Sequence, residues 1–227
     1  FLLELNVKNV FHTGNIKLIA ESKSSRINDY NKDKLLSNKF WFAASTHKNE
    51  EIFCLKTHRL LKRNYENLIT IIAPRHIERV YEIENICNQM KLTSQVLDED
   101  KKIKDKKEII IINSFGFLSG YYRLAKSVFI GKSIDKKFAA GGGQNPIDAA
   151  NMGCKIYHGP YISNFEEVYE IFEKNGISEK VHNYDDLSKK LIEDLAGSKK
   201  NLERYSSVMQ NLRLQTLAKT MKHINKF

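Results

Sequence analysis

The residues best suited to chemistry in this sequence are polar groups that directly follow short apolar runs. Ser45, Thr46 and His47 supply two hydroxyls and an imidazole after the first run. Pro74 and Arg75 supply a rigid turn and a guanidinium after the second run. An arginine fork binds phosphate well, and a cation in the first turn of a helix is otherwise unfavourable. Arg75 therefore favours an anion site. For Ser45, Thr46 and His47, a helix N-cap beside a surface histidine is as good an explanation as an anion site.

A glycine-rich loop gives the strongest chemical signal. The three glycines at 141–143 would present backbone N–H groups with no side chains in the way, as an anion site requires. Asn145 is predicted to cap a helix with Pro146 at its first position, which would aim a helix N-terminus at the anion. Asp148 would then accept hydrogen bonds from ribose hydroxyls. A flexible hinge is the alternative, and the absence of a Walker A or GxGxxG motif in the sequence disfavours an ATPase.

Two further junctions carry weaker signals. Asn113 and Ser114 follow four isoleucines and predict an N-cap, and Gly116 would let a ligand ring approach the backbone. Residues 159–161 read as a turn that would form the floor of the same site. The histidines show no metal-ligand spacing with one another or with a cysteine, and the sequence has no GxSxG elbow. We therefore expect neither a metal site nor a nucleophile of that kind.

The elements that must position these groups are predicted by hydrophobic spacing. Apolar runs of strand length, none alternating with polar residues, lie at 40–44, 68–73, 109–112, 128–130 and 155–157. Such strands are buried on both faces. Segments with three-and-four spacing separate them, which predicts right-handed βαβ units and an α/β fold with a Rossmann-like, doubly wound parallel sheet. Ligands bind such sheets at the carboxyl ends of the strands, so we expect the polar junctions to meet there.

Length and composition are those of one globular domain. The 227 residues are 41% hydrophobic and 28% charged, which disfavours a disordered chain. We predict a linker and first helix over 1–38, a Rossmann-like domain over 39–197 and a C-terminal helix over 198–227. The three isolated cysteines predict buried free thiols, and no apolar run is long enough to cross a membrane. The abrupt apolar start without an initiator methionine suggests a piece of a longer polypeptide.

The basic charge of the chain does not indicate nucleic-acid binding. The formal net charge is +10, but 8 of the 37 basic residues are arginine and the lysines are scattered along the chain. Because base and phosphate recognition favours arginine in clusters, we interpret the charge as a solubilising surface. Attraction to an anionic membrane surface stays open, since it needs only charge.

Taken in order, the polar junctions resemble the C-terminal half of the 3-deoxy-D-manno-octulosonic acid (Kdo) transferases of lipid A assembly. The resemblance rests on the motifs at 45–47 with Glu50 and Glu51, at 74–76 with Glu78 and Arg79, at 145–150, and at 159–160 with Asn164 and Phe165. Residues 13–17 look like the family's passage between its two domains. The chain departs from the family pattern at Phe117, Gln144 and Asp148, where Glu, His and Glu are usual.

The resemblance implies a GT-B glycosyltransferase, in which two Rossmann-like domains face each other across a cleft. This chain would be the C-terminal domain, which binds the donor CMP-Kdo. Carried over by position, the residues that would bind the nucleotide sugar are Ser45, His47, Pro74, Arg75, Phe115, Gly116, Phe117, Gly142, Gly143, Asn145, Pro146, Ile147 and Asp148. The catalytic base would be a carboxylate on an N-terminal acceptor domain that is absent from this chain, so no residue here is expected to be catalytic.

The implied reaction is transfer of Kdo from CMP-Kdo to a lipid A precursor, with inversion, in lipopolysaccharide core biosynthesis. We expect no cofactor, no metal ion and no nucleic-acid partner. The enzyme would bind peripherally at the cytoplasmic face of the bacterial inner membrane, and this chain alone would be inactive. Two alternatives stay open: a GT-B enzyme that uses another sugar nucleotide, and a non-catalytic Rossmann-like module at a membrane surface or scaffold.

Overall fold

The computed structural model describes residues 10–20, 25–197 and 202–224, and a seven-stranded sheet organises them. The strands are β1 (Lys39–Thr46), β2 (Leu68–Pro74), β3 (Ser94–Leu97), β4 (Ile109–Ile112), β5 (Ser127–Ile130), β6 (Lys155–His158) and β7 (Ser178–Lys180). Their order across the sheet is β3-β4-β2-β1-β5-β6-β7, and every pair of neighbours is parallel. The predicted α/β fold with a doubly wound parallel sheet is confirmed.

Helices cover both faces of the sheet. They are α1 (Asp29–Leu36), α2 (Glu50–Leu61), α3 (Val80–Gln89), α4 (Leu118–Leu124), α5 (Ile147–Asn151), α6 (Glu166–Lys174), α7 (Tyr184–Ala196) and α8 (Leu202–Ile224). Helices α2, α3 and α7 share one hydrophobic core with the sheet, and α1, α4, α5, α6 and α8 share the other. Trp41 and Phe42, adjacent on β1, are fully buried in opposite cores because successive strand residues point to opposite faces.

The apolar runs in the sequence correspond to the five central strands. Every residue of β2, β4 and β5 is buried, as strands covered by helices on both faces must be. Strands β3 and β7, which form the two edges of the sheet, were not predicted from the sequence. Both are short and contain polar residues such as Gln95 and Glu179. Edge strands pair on one side only, so they lack the continuous apolar pattern that identified the others.

The polar residues that follow the strands lie at the carboxyl ends of the strands, on one side of the sheet. Strand β1 lies at the centre, with β2 on one side and β5 on the other. The chain runs outward from β1 through β2 to the edge strand β3, comes back to form β4 between β2 and β3, and then crosses to β5 on the opposite side of β1. The carboxyl ends of β1 and β5 therefore border the crevice where the strand order reverses, which is the usual ligand site of such sheets.

The remaining expectations concern the cysteines, membrane-spanning segments and the limits of the three parts of the chain. Cys54, Cys87 and Cys154 are free and buried, as predicted. No helix in the described ranges is both long and apolar enough to span a membrane. The limits set for the three parts of the chain stay predictions, and the apolar opening over 1–9 lies outside the described residues.

Candidate functional site

A cavity of about 400 Å³ opens at the carboxyl ends of the strands. Five of the residues assigned by resemblance line it: Ser45 after β1, Gly116 after β4, and Asn145, Ile147 and Asp148 around the start of α5. Lys17, Ala20, Leu118, Ser119, Tyr122 and Gln144 complete its lining. Residues from three separate junctions thus meet at one cavity, which is large enough for part of a nucleotide-sized ligand.

A cluster of basic groups centred on His47 adjoins this cavity. His47 Nε2 lies 3.1 Å from Gln144 Nε2, and Gln144 lines the cavity. The His47 and His76 rings meet edge to face, with centroids 5.5 Å apart. Burial is the largest cause that lowers the pKa of His47 to about 4, and the nearby charges of His76, Lys132, Arg75 and Arg79 contribute to the same shift. The neutral ring therefore sits in a region of positive potential beside the cavity.

Arg75 and Pro74 take different roles at the end of β2. Pro74 is buried and pairs with Thr46 of β1 after a shift in the register of the two strands. Arg75 is exposed, and its N–H donates to the Thr46 carbonyl at 2.9 Å. No salt bridge of its guanidinium occurs within the described residues. Arg75 does not lie in the first turn of α3 as expected, because that helix begins at Val80 after a short 3-10 turn.

A buried carboxylate joins the junctions after β1 and β5. Glu50, at the start of α2, is 0% exposed and accepts hydrogen bonds from four backbone N–H groups. The donors are His47 at 2.8 Å, Lys132 at 2.6 Å, Ser133 at 2.8 Å and Ile134 at 3.2 Å. Burial raises the pKa of Glu50, and the four hydrogen bonds oppose that shift. Glu50 therefore fixes the loops on both sides of the crevice.

The neighbouring carboxylate fixes the junction after β2. Glu51, also 0% exposed, accepts a hydrogen bond from Thr46 Oγ1 at 3.0 Å. Both terminal nitrogens of Arg79 donate to it, at 2.8 and 3.2 Å. Arg79, and not Arg75, is therefore the arginine at the start of α3. Its charge is neutralised by Glu51 inside the protein. The acidic pair Glu50 and Glu51 is thus structural: it connects three loops.

The three-glycine loop packs against the turn after β6. The N–H of Gly141 donates to a serine hydroxyl of that turn at 2.9 Å, and the N–H of Gly143 donates to the Lys132 carbonyl at 2.6 Å. A Cβ atom on Gly142 would lie 2.4 Å from the Tyr161 carbonyl oxygen. Two of the three amides that we expected to face an anion are therefore used within the protein. The glycines allow two backbone segments to approach closely.

The residues predicted as helix caps also act differently. Asn113 Nδ2 donates to Asp98 Oδ1 at 2.8 Å, and α4 begins further along the chain without a side-chain cap. Asn145 Oδ1 accepts a hydrogen bond from the N–H of Ile147 at 3.0 Å, and Pro146 occupies the cap position rather than the first turn. Helix α5 has 5 residues, so its dipole contributes little to anion binding.

The loop between β4 and α4 faces two different cavities. Gly116 lines the cavity that contains Asp148, whereas Phe117 lines a neighbouring cavity of about 460 Å³. Asp29, Asp98, Glu99 and Asp100 give that second cavity an acidic wall. Phe115 is 63% exposed. Phe117 therefore lines a different cavity from the five assigned residues that surround the Asp148 cavity.

Lys17 and Tyr122 line the cavity but were not predicted as site residues from the sequence. Tyr122 belongs to the apolar face of α4, so its sequence pattern is that of an ordinary core residue. Lys17 lies in a 3-10 turn, Ile16–Leu18, outside the sheet. The one sequence feature that could have identified Lys17 is the motif at 13–17. The resemblance connected that motif with a domain boundary and not with a ligand.

No group of three or more His, Cys, Asp or Glu side chains within the described ranges is arranged to hold a metal ion. The buried histidines have structural partners instead. His58 Nδ1 lies 2.8 Å from Thr70 Oγ1, and His158 Nδ1 lies 2.8 Å from the Gly159 carbonyl. The site thus offers cationic and hydrogen-bonding groups, which suit an anionic, hydroxyl-bearing ligand.

The environment of His47 predicts a pH dependence of stability. Its pKa is about 4 in the folded chain and ordinarily 6.5, so below pH 6.5 the unfolded chain binds the additional proton. Its contribution to stability is therefore complete above pH 6.5 and declines as the pH falls toward 4. In urea unfolding at pH 7 and pH 5, we expect His47→Gln to lose less stability at the lower pH than wild type does. An equal loss in both proteins would contradict this assignment.

Comparisons with known proteins extend this picture. The chain is 28% identical to a 3-deoxy-D-manno-octulosonic acid transferase of Haemophilus influenzae over 208 residues, which are 88% of this chain and 48% of that protein. It is also 28% identical to the enzyme of the same name from Aquifex aeolicus, over 85% of this chain and 50% of that protein. The chain thus spans about half the length of the curated relatives it matches. No protein-family profile matches it.

A solved structure shares the fold. The C-terminal CMP-Kdo binding domain of WaaA from Acinetobacter baumannii superposes with a TM-score of 0.66 and 21% identity, covering 84% of this chain and 94% of that domain. These matches confirm the resemblance indicated by the order of the motifs. Over most of its length the chain is similar to the 3-deoxy-D-manno-octulosonic acid transferases, and its fold is that of a C-terminal, Rossmann-like domain of a GT-B glycosyltransferase.

Proposed function

We propose that this chain is the donor-binding part of a Kdo transferase and that it binds CMP-Kdo at the carboxyl edge of its sheet. One observation carries the proposal: the basic groups around His47 adjoin a cavity lined by Ser45, Asn145 and Asp148. A nucleotide sugar has a phosphate, ribose hydroxyls and a sugar, and this edge offers cations beside hydrogen-bonding groups. The similarity to proteins named as Kdo transferases supports Kdo as the transferred sugar, and the solved domain with the same fold is named for CMP-Kdo binding.

The phosphate of the donor would lie beside Arg75 and Lys132. As the bond from the sugar to the phosphate breaks, negative charge grows on the departing CMP. Fixed donors aimed at such a charge lower the barrier by about 3–4 kcal/mol each. Arg75 suits this role because its guanidinium is exposed and has no salt-bridge partner among the described residues. Protein donors supply the charge stabilisation in this proposal, and no metal ion or other cofactor takes part.

The cavity would hold the sugar and ribose parts of the donor. Asp148 lines it, and a carboxylate there accepts hydrogen bonds from sugar or ribose hydroxyls. Ser45 and Asn145 add groups that both donate and accept. Phe115 and Gly116, at the exposed turn before α4, would contact the nucleoside, as their position in the resemblance implies.

The complete reaction would need a second domain. We propose that a carboxylate on an acceptor domain removes the proton of a hydroxyl on the lipid A precursor, which then attacks the anomeric carbon with inversion. The acceptor is a lipid, so the complete enzyme would work peripherally at the cytoplasmic face of the bacterial inner membrane. Nucleic acid has no part in this proposal.

Calorimetric titration with nucleotides tests the proposal. We expect the chain to bind CMP at least tenfold more tightly than UDP, and to transfer no Kdo when it is supplied with CMP-Kdo and lipid A precursor. A preference for UDP would indicate a GT-B enzyme with another donor, and no nucleotide binding at all would favour a non-catalytic module. Kdo transfer by this chain alone would show that the base lies within it.

A further inference from the structure

Lys17 reaches the proposed donor cavity from outside the sheet. It lines the cavity together with Ser45, Gln144, Asn145 and Asp148, although it precedes β1 by more than twenty residues. Among the described residues of the cavity wall, Lys17 is the single basic one. The positive groups around His47 lie beside the cavity and do not line it. The cavity thus has a cation of its own, separate from the cluster that we assign to the phosphate.

Local contacts hold the backbone of Lys17 in place. Asn15 Oδ1 accepts a hydrogen bond from the Lys17 N–H at 3.1 Å, which caps the 3-10 turn. The next residue, Leu18, is 4% exposed and belongs to the core shared with α8. Arg213 Nε of α8 donates to the Leu18 carbonyl at 3.5 Å. The turn is therefore anchored to the domain, and the position of Lys17 at the cavity is a property of the fold.

The ammonium group of Lys17 has no carboxylate partner in the described part of the chain. Its Nζ lies 4.9 Å from the centroid of the Phe165 ring, in a cation–π contact. No salt bridge of Lys17 occurs among the described residues. An aromatic face orients an ammonium group but does not neutralise its charge. Within the described residues, the charge is therefore left for an anionic group of a ligand.

We propose that Lys17 selects donors whose sugar carries a carboxylate, by pairing with that carboxylate in the cavity. This inference rests on the proposed function, in which the transferred sugar is an acid. The phosphate is assigned to the Arg75 side of the crevice, so a second cation at a distinct place calls for a second anion. Asp148, on the same cavity wall, would repel a misplaced carboxylate and accept hydrogen bonds from hydroxyls. The two opposite charges would thus orient the sugar.

Two ligands that differ in the sugar separate this role from phosphate binding. Calorimetric titrations with CMP and with CMP-Kdo would be done on the wild-type chain, Lys17→Met and Lys17→Arg. Lys189→Met removes an exposed lysine on α7 and is the matched control. A hydrogen bond between charged groups is stronger than one between neutral groups, so we expect Lys17→Met to weaken CMP-Kdo binding about tenfold. We expect CMP affinity to change less than twofold, Lys17→Arg to restore most of the loss, and the control to match wild type.

The outcomes separate this inference from the proposed function. If Lys17→Met loses affinity for CMP and for CMP-Kdo by the same factor, Lys17 acts on the nucleotide or on the fold. That result would overturn the inference. Unchanged binding of CMP-Kdo by Lys17→Met would overturn it as well, while normal CMP binding by wild type would leave the proposed function intact. If the wild-type chain binds neither ligand, both proposals are wrong.

Discussion

Replacing Glu50 with Gln is expected to lower the free energy of unfolding by about 4 kcal/mol, because two buried N–H groups lose their acceptor at about 1–3 kcal/mol each. One carboxylate oxygen accepts from His47 and Lys132, and the other accepts from Ser133 and Ile134. A glutamine presents an NH₂ group in place of one of these oxygens. For a chain of this size, the loss corresponds to roughly 8–16 °C in the melting temperature.

Thermal and urea unfolding of both proteins would measure the effect of Glu50→Gln. Glu170→Gln is the matched control, because Glu170 is exposed on α6 and has no ion pair among the described residues. We expect that control to stay within about 0.5 kcal/mol of wild type. CMP binding should weaken in Glu50→Gln even at temperatures where the variant is folded, since Glu50 positions the loops of His47 and Lys132. A melting temperature like that of the control would mean that these loops are held in another way.

Arg75→Ala is expected to weaken CMP binding by ten- to hundredfold, which corresponds to about 1.4–2.7 kcal/mol. The guanidinium is exposed at the end of β2, and its removal deletes a charge-assisted hydrogen bond to phosphate without opening a cavity in the core. Stability should therefore change little. Calorimetric titration with CMP, together with a thermal melt of each protein, measures both quantities.

Two further variants sharpen the test of Arg75. Arg63→Ala removes an exposed arginine just beyond α2 and controls for the loss of net charge, so its CMP affinity should match wild type. Arg75→Lys keeps the charge but loses the planar fork, so it should recover part of the affinity. CMP affinity in Arg75→Ala equal to that of wild type would remove Arg75 from the site.

The sequence was sufficient for the central architecture. The isoleucines of β4 and the apolar run of β2 identify strands buried on both faces, and parallel strands bring their carboxyl ends to one edge. That rule alone predicted that Ser45, Asn145 and Asp148 would come together, and they line one cavity. Hydrophobic burial dominates folding and follows residue type closely, so its periodicity is readable in a single chain.

Only the tertiary structure decided what the polar residues contact. Glu50 and Glu51 are only part of a motif in the sequence, but in the structure both are buried and connect loops that are distant in sequence. The amides of Gly141 and Gly143 read as an anion cradle, but they bond to neighbouring loops. Lys17 read as part of a linker, but it lines the cavity. A hydrogen bond depends on the distance and direction between two atoms, which here belong to segments that are distant in sequence. Residue type and local spacing determine neither of these quantities.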